Sequence, residues 1–145
     1  MNSIFKKISI SSDHAGYQLK EQIKTHLIKK EISLIDLGPF ETKSVDYPDY
    51  AKKIARRVAR KRSDVGILVC GSGTGMAITA NKTKGIRAAV CYNSASTRLS
   101  REHNNANIIA LGSRLIKKKD AMKLIKIFLN TKFEGGRHLR RVKKI

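Results

Sequence analysis

The feature that most restricts the fold of this chain is the regular return of short β-branched runs, each ending in turn-forming or polar residues. They are Lys6 to Ser11 (KKISIS), Ile32 to Gly38 (ISLIDLG), Asp64 to Cys70 (DVGILVC), Ile86 to Tyr92 (IRAAVCY) and Ala106 to Gly112 (ANIIALG). Such runs read as strands. Between them lie helical patterns: Leu19, Ile23 and Leu27 recur at four-residue spacing. Ile54 and Val58 do the same among alanines, with Lys52, Lys53, Arg56, Arg57 and Arg60 on the opposite side. A last helix is expected from about Asp120 to Asn130, followed by a basic C-terminal tail or helix. Strands alternating with helices give an α/β fold, a Rossmann-like three-layer sandwich on a five-stranded parallel sheet with right-handed crossovers.

At 145 residues, with no internal repeat and no linker, one domain spanning 1–145 is expected. No run reaches the roughly 18 apolar residues of a membrane helix, so no membrane partner and a cytoplasmic location are expected. The two cysteines, Cys70 and Cys91, have no metal-ligand spacing, and neither do the four histidines. The net charge of +20 raises the prospect of nucleic acid. Lysines outnumber arginines 20 to 11 and are spread along the chain, which reads as a compositional bias. With neither an aromatic RNA-binding strand nor a G-x-x-G helical hairpin, no specific nucleic-acid partner is expected.

In an open parallel sheet ligands bind beyond the carboxyl ends of the strands, which directs attention to Cys70–Gly75, CGSGTG. A Walker loop fails here because Ser72 stands where lysine is needed, and a dinucleotide fingerprint fails for want of a third glycine and an acidic residue at the next strand end. What remains is a set of backbone N–H groups at a helix N-terminus, with hydroxyls from Ser72 and Thr74. It is either a glycine-rich turn or a cradle for a phosphate or a developing oxyanion. Cys70 is correspondingly either a small core residue or, with its thiolate stabilised at the helix terminus, a base or nucleophile. Cys91 reads as core. Asp13 and His14, in SSDHAG, combine helix capping with acid/base potential. His103 and Asn104 occupy a turn before the last strand. Arg137 and Arg141 share a face if the tail is helical, and arginine forks match phosphate.

Taken together, SSDHAGYQLK, VDYPDYA, GILVCGSGTGMAITANK, GIRAAVCYN, SREHNNANIIALGSR and FEGGRHLRRV resemble the family of type B ribose-5-phosphate isomerases, shared with the galactose-6-phosphate isomerase subunits. The resemblance runs over almost the whole chain. It implies metal-free, cofactor-free interconversion of D-ribose 5-phosphate and D-ribulose 5-phosphate through a cis-enediolate, a step of the non-oxidative pentose phosphate pathway. By the same resemblance Cys70 is the proton-transferring base, and Gly71, Ser72, Gly73 and Gly75 cradle the oxyanion. His103 opens the sugar ring with help from Asp13, Asn104 and Tyr47 contact the sugar, and His14, Arg114, Arg137 and Arg141 hold the phosphate. Met76 stands where another branch carries a glutamate base, which makes this the cysteine branch. The resemblance also implies a homodimer, with tetramers a further possibility, whose sites join the glycine loop of one chain to the His103 segment and arginine tail of the other.

Overall fold

The computed structural model describes residues 2–145. Five parallel strands, β1 (Ile8–Ser12), β2 (Leu34–Asp36), β3 (Val65–Cys70), β4 (Ala88–Val90) and β5 (Ile108–Gly112), form one sheet in the order β2-β1-β3-β5-β4. The central strands are buried along their whole length, and β3 and β5 accordingly read as apolar runs, whereas β1 alternates Ile and Ser. The edge strands β2 and β4 have three residues each and are only partly covered, so they are shorter than the sequence runs containing them.

Helices α1 (Tyr17–Lys29), α2 (Tyr47–Ala59), α3 (Thr74–Asn81), α4 (Ser94–Glu102) and α5 (Lys118–Asn130) follow the strands in turn, and α6 (Arg137–Val142) closes the chain. Leu19, Ile23 and Leu27 of α1 and Leu124, Ile125, Phe128 and Leu129 of α5 pack on one face of the sheet. Ala51, Ile54, Ala55 and Val58 of α2 and Met76, Ala77 and Ala80 of α3 pack on the other. Each fully buried Leu or Ile contributes about 1.5–3 kcal/mol, so these stripes dominate the stability of the three layers.

The helix leaving β1 and the helix leaving β3 cover opposite faces, so the chain diverges between these neighbouring strands. That leaves a crevice beyond their carboxyl ends, where open α/β sheets place ligands. One element differs from the sequence reading. α4 was not anticipated, and its buried residues are Thr97, Ser100 and Arg101, a polar set that gives no apolar period. The C-terminal segment, expected as a tail or a helix, forms the helix α6 and buries His138. No helix among the described residues is long and apolar enough to cross a membrane.

Candidate active site

At the β1/β3 crevice the glycine loop leaves β3 and enters α3. Gly73, at the N-cap of α3, has φ +80°, a left-handed conformation that suits glycine. Its N–H donates to Cys70 Sγ at 3.1 Å, so the turn directs a backbone donor at a buried thiol. Thr74 N–H donates to Ser72 Oγ at 3.3 Å, which leaves the Ser72 hydroxyl proton free to point outward. Among the described residues the N–H groups of Ser72 and Gly75 have no acceptor, as expected at the start of a helix.

The flanking glycines leave room for side chains that lie close over them. A Cβ on Gly71 would come within 2.9 Å of the Arg114 guanidinium, and one on Gly75 within 2.7 Å of the Tyr47 ring. Arg114 and Tyr47 therefore wall the loop on two sides, and both are exposed to solvent. Asp13 is buried, and its Oδ1 accepts from Gly16 N–H at 2.8 Å, fixing the turn into α1. His14 Nδ1 lies 3.1 Å from Val45 N and 3.2 Å from Val45 O, a contact that pins the loop preceding Tyr47 and leaves Nε2 uncommitted. One end of the sheet thus gathers Asp13, His14, Tyr47, Cys70, Gly71, Ser72, Gly73, Gly75 and Arg114.

His103, Asn104, Arg137 and Arg141 do not join that group. His103 caps the C-terminus of α4, ahead of β5, whereas Cys70 is in register with Gly112 at the far end of β5. The four residue steps from Ile108 to Gly112 alone span about 13 Å, so the two clusters lie toward opposite ends of the sheet. Of the second cluster, His103, Asn104 and Arg141 line a pocket of about 380 Å³ together with His138, Val142 and Ile145, while Arg137 opens α6 exposed to solvent and outside that lining.

Several groups hold this second cluster in shape. The Arg101 guanidinium donates to Thr131 O, Asn105 Oδ1 and Ala106 O, joining the end of α4 to the start of the tail. Burial, aided by the nearby Arg87, pushes Arg101 down to about 10, so it stays charged at neutral pH. Asn107 accepts from Arg87 N–H and donates to Gly85 O, fixing the turn that carries His103. Glu134 N–H donates to Glu102 O at 3.1 Å. The His138 ring stacks on His103, with centroids 4.1 Å apart and planes 13° apart, and its Nε2 lies 3.4 Å from Glu134 Oε2.

Sequence reading missed His138 and Glu134. The signals available were the i,i+4 spacing of the pair and the place of His138 between the two arginines. His103, Glu134 and His138 bring three potential ligand atoms within 4.8 Å of one another. A metal ion sits about 2 Å from an imidazole nitrogen, near the ring plane. Parallel rings stacked 4.1 Å apart direct their lone pairs side by side rather than toward one point, so this arrangement does not suit an ion. Cys91, read as core, is fully buried, and that burial pushes its thiol up.

The description "Ribose/Galactose Isomerase" belongs to the family model that matches residues 8–145. The chain is 44% identical to ribose-5-phosphate isomerase B of Escherichia coli over 140 residues, covering 97% of this chain and 94% of that protein. Its structure superposes on that of Clostridium thermocellum ribose-5-phosphate isomerase B with a TM-score of 0.94 and 49% identity, covering 95% and 93% of the two chains. It also resembles ribose-5-phosphate isomerase B from Mycoplasma genitalium with bound ribulose-5-phosphate, at a TM-score of 0.92 and 42% identity, covering 95% and 92%.

Proposed function

The chain belongs to the ribose/galactose isomerase family, and from that membership we propose that it interconverts D-ribose 5-phosphate and D-ribulose 5-phosphate within the non-oxidative pentose phosphate pathway. The observation that carries the mechanism is the buried Cys70 sulfur facing a loop of backbone donors at a helix N-terminus. The Cys70 thiolate takes the C2 proton of the open-chain aldose. The electron pair of that C–H bond forms the C1=C2 bond, and the carbonyl oxygen becomes the oxyanion of a cis-enediolate. The free N–H groups of the loop and the Ser72 hydroxyl receive that charge. Removing one such donor from an acyl-transfer enzyme costs about 2.7–4 kcal/mol. The Cys70 thiol then returns the proton to C1 while the C2 carbonyl forms and the O2 hydroxyl proton passes to O1. No metal or cofactor enters any of these steps.

Ribose 5-phosphate must first open. His103 donates a proton to the ring oxygen as its bond to C1 breaks, and Asp13 accepts the C1 hydroxyl proton, leaving the aldehyde. Tyr47 and Asn104 bind the sugar, and His14, Arg114, Arg137 and Arg141 take the phosphate, whose binding energy holds the open chain in reactive geometry. Because Cys70 and His103 lie toward opposite ends of one sheet, the complete site requires two chains. A homodimer with two shared sites satisfies this, the loop of each subunit facing the His103 and arginine cluster of the other.

The test is conversion of ribose 5-phosphate in the presence of EDTA by wild type and Cys70→Ala. A positioned general base is worth about 10²- to 10⁴-fold, so the variant should lose at least that while still binding substrate. Wild-type turnover in Cys70→Ala would exclude the thiol as base. No turnover in folded wild type would redirect the substrate to a six-carbon sugar phosphate.

A further inference from the structure

We infer that Glu134 and His138 form a positioning pair that sets the ring plane of His103 for sugar-ring opening. The inference rests on the ring-opening role proposed above and extends it to two residues outside that mechanism. Among the described residues no hydrogen bond reaches the His103 imidazole, although its backbone N–H is tied to Leu99 O at 2.9 Å. Rotation of an imidazole about its last side-chain torsion is broad, so an unbonded ring does not by itself hold one orientation. Among the described residues the one ring stacked on it is that of His138, 4.1 Å away and nearly parallel, which restricts that rotation.

His138 is suited to the task because it is 93% buried, at 7% exposure, whereas its neighbours Arg137 and Leu139 face solvent. Glu134 in turn faces His138 Nε2 from the preceding turn, and its own backbone N–H is anchored to Glu102, next to His103. The chain from Glu134 through His138 to His103 is thus closed on itself by the end of α4. All of this lies at the pocket shared by His103, Asn104 and Arg141, where a phosphorylated sugar would enter. His138 and Glu134 act through His103 and touch no reacting atom.

The chemistry of the two substrates separates this role from a structural one. Ribose 5-phosphate closes into a furanose, whereas ribulose 5-phosphate has its O5 phosphorylated and stays open. Deuterium exchange at C1 of ribulose 5-phosphate in D2O therefore requires Cys70 and the loop but no ring opening. His138→Ala should slow conversion of ribose 5-phosphate about ten- to a hundredfold, the scale of a misplaced reacting group, and Glu134→Gln by less because the stacked ring remains, while the exchange stays within about twofold of wild type in both. His138→Phe keeps a flat stacking ring and should recover most of the conversion, and adding Glu134→Gln to it should cost nothing further. Undiminished conversion in His138→Ala, equal losses in conversion and exchange, or failure of His138→Phe to recover would each overturn the inference. A wild type that neither converts nor exchanges pentose phosphates would instead overturn the proposed function, and this inference with it.

Discussion

Cys70 and Gly73 illustrate how little side chain the proposed chemistry requires. The glycine adopts φ +80°, and this turn sends its N–H to the sulfur. Gly73→Ala should cost about 1 kcal/mol for the left-handed backbone, close to 3 °C in Tm for a chain of this size. It should cost more in kcat, because the Cβ would also press on the Leu111 carbonyl, 3.0 Å from its carbon, and shift the loop. Thermal melts alongside kinetics check both effects, and a variant with normal turnover would show that the turn is not tuned to the thiol. Gly75→Ala places its Cβ 2.7 Å from the Tyr47 ring and should raise KM more than it lowers kcat. Residue-scale sequence reading found both glycines and left open whether they serve a turn or a cradle for a ligand. The close contacts with Arg114 and Tyr47 depend on residues 28 or more positions away and could not be read locally.

Among elements, β2 shows how a three-residue edge strand is secured. Lys20, fully buried in α1, donates to Asp36 Oδ2 at 2.7 Å, Lys24 donates to the same oxygen at 2.9 Å, and Gly38 N–H donates to Oδ1. Burial alone would raise the Asp36 carboxyl, but the hydrogen bonds from Lys20, Lys24 and Gly38 outweigh it and hold the group below its ordinary 3.8. A depressed carboxylate contributes stability that is complete above its unfolded value and lost as pH falls through the lower native one. Asp36→Asn should therefore destabilise by about 1–3 kcal/mol at pH 7, where the buried Lys20 would keep only the more exposed Glu21 as counter-charge. The gap from wild type should close as pH falls below about 4, which denaturant titrations over that range would detect. A gap independent of pH would contradict the ion-pair account. The same scale explains what the sequence concealed. α1, α2 and α5 carry apolar stripes and were legible, but α4 buries Thr97, Ser100 and Arg101 and has its Leu99 exposed, so no apolar period betrays it. α6 has only six residues, and its single buried side chain is His138.

At the scale of the whole molecule, the parallel sheet and a site beyond the carboxyl ends of its strands followed from the alternation of strands and helices, while the divergence between β1 and β3 came with the strand order. The division of the functional residues did not follow from that alternation either, because it depends on which end of β5 each segment meets. Cys70 is level with Gly112, and His103 precedes Ile108. Sequence patterns identify the residues of both clusters without giving the distance between them. The net charge of +20 also belongs to this scale, and any nucleic acid it attracts should dissociate steeply with added salt and show no sequence preference. The proposed sharing of the site between two chains makes a more demanding prediction. Cys70→Ala and His103→Ala homodimers should each be nearly inactive on ribose 5-phosphate. After mixing, unfolding and refolding together, half of the dimers are mixed, and each mixed dimer has one site with both Cys70 and His103 intact. Activity should then return to roughly one quarter of wild type, as random pairing of two-fold dimers requires. Mixed dimers that form, as shown by mass spectrometry, yet stay as inactive as their parents would contradict a site built from two chains.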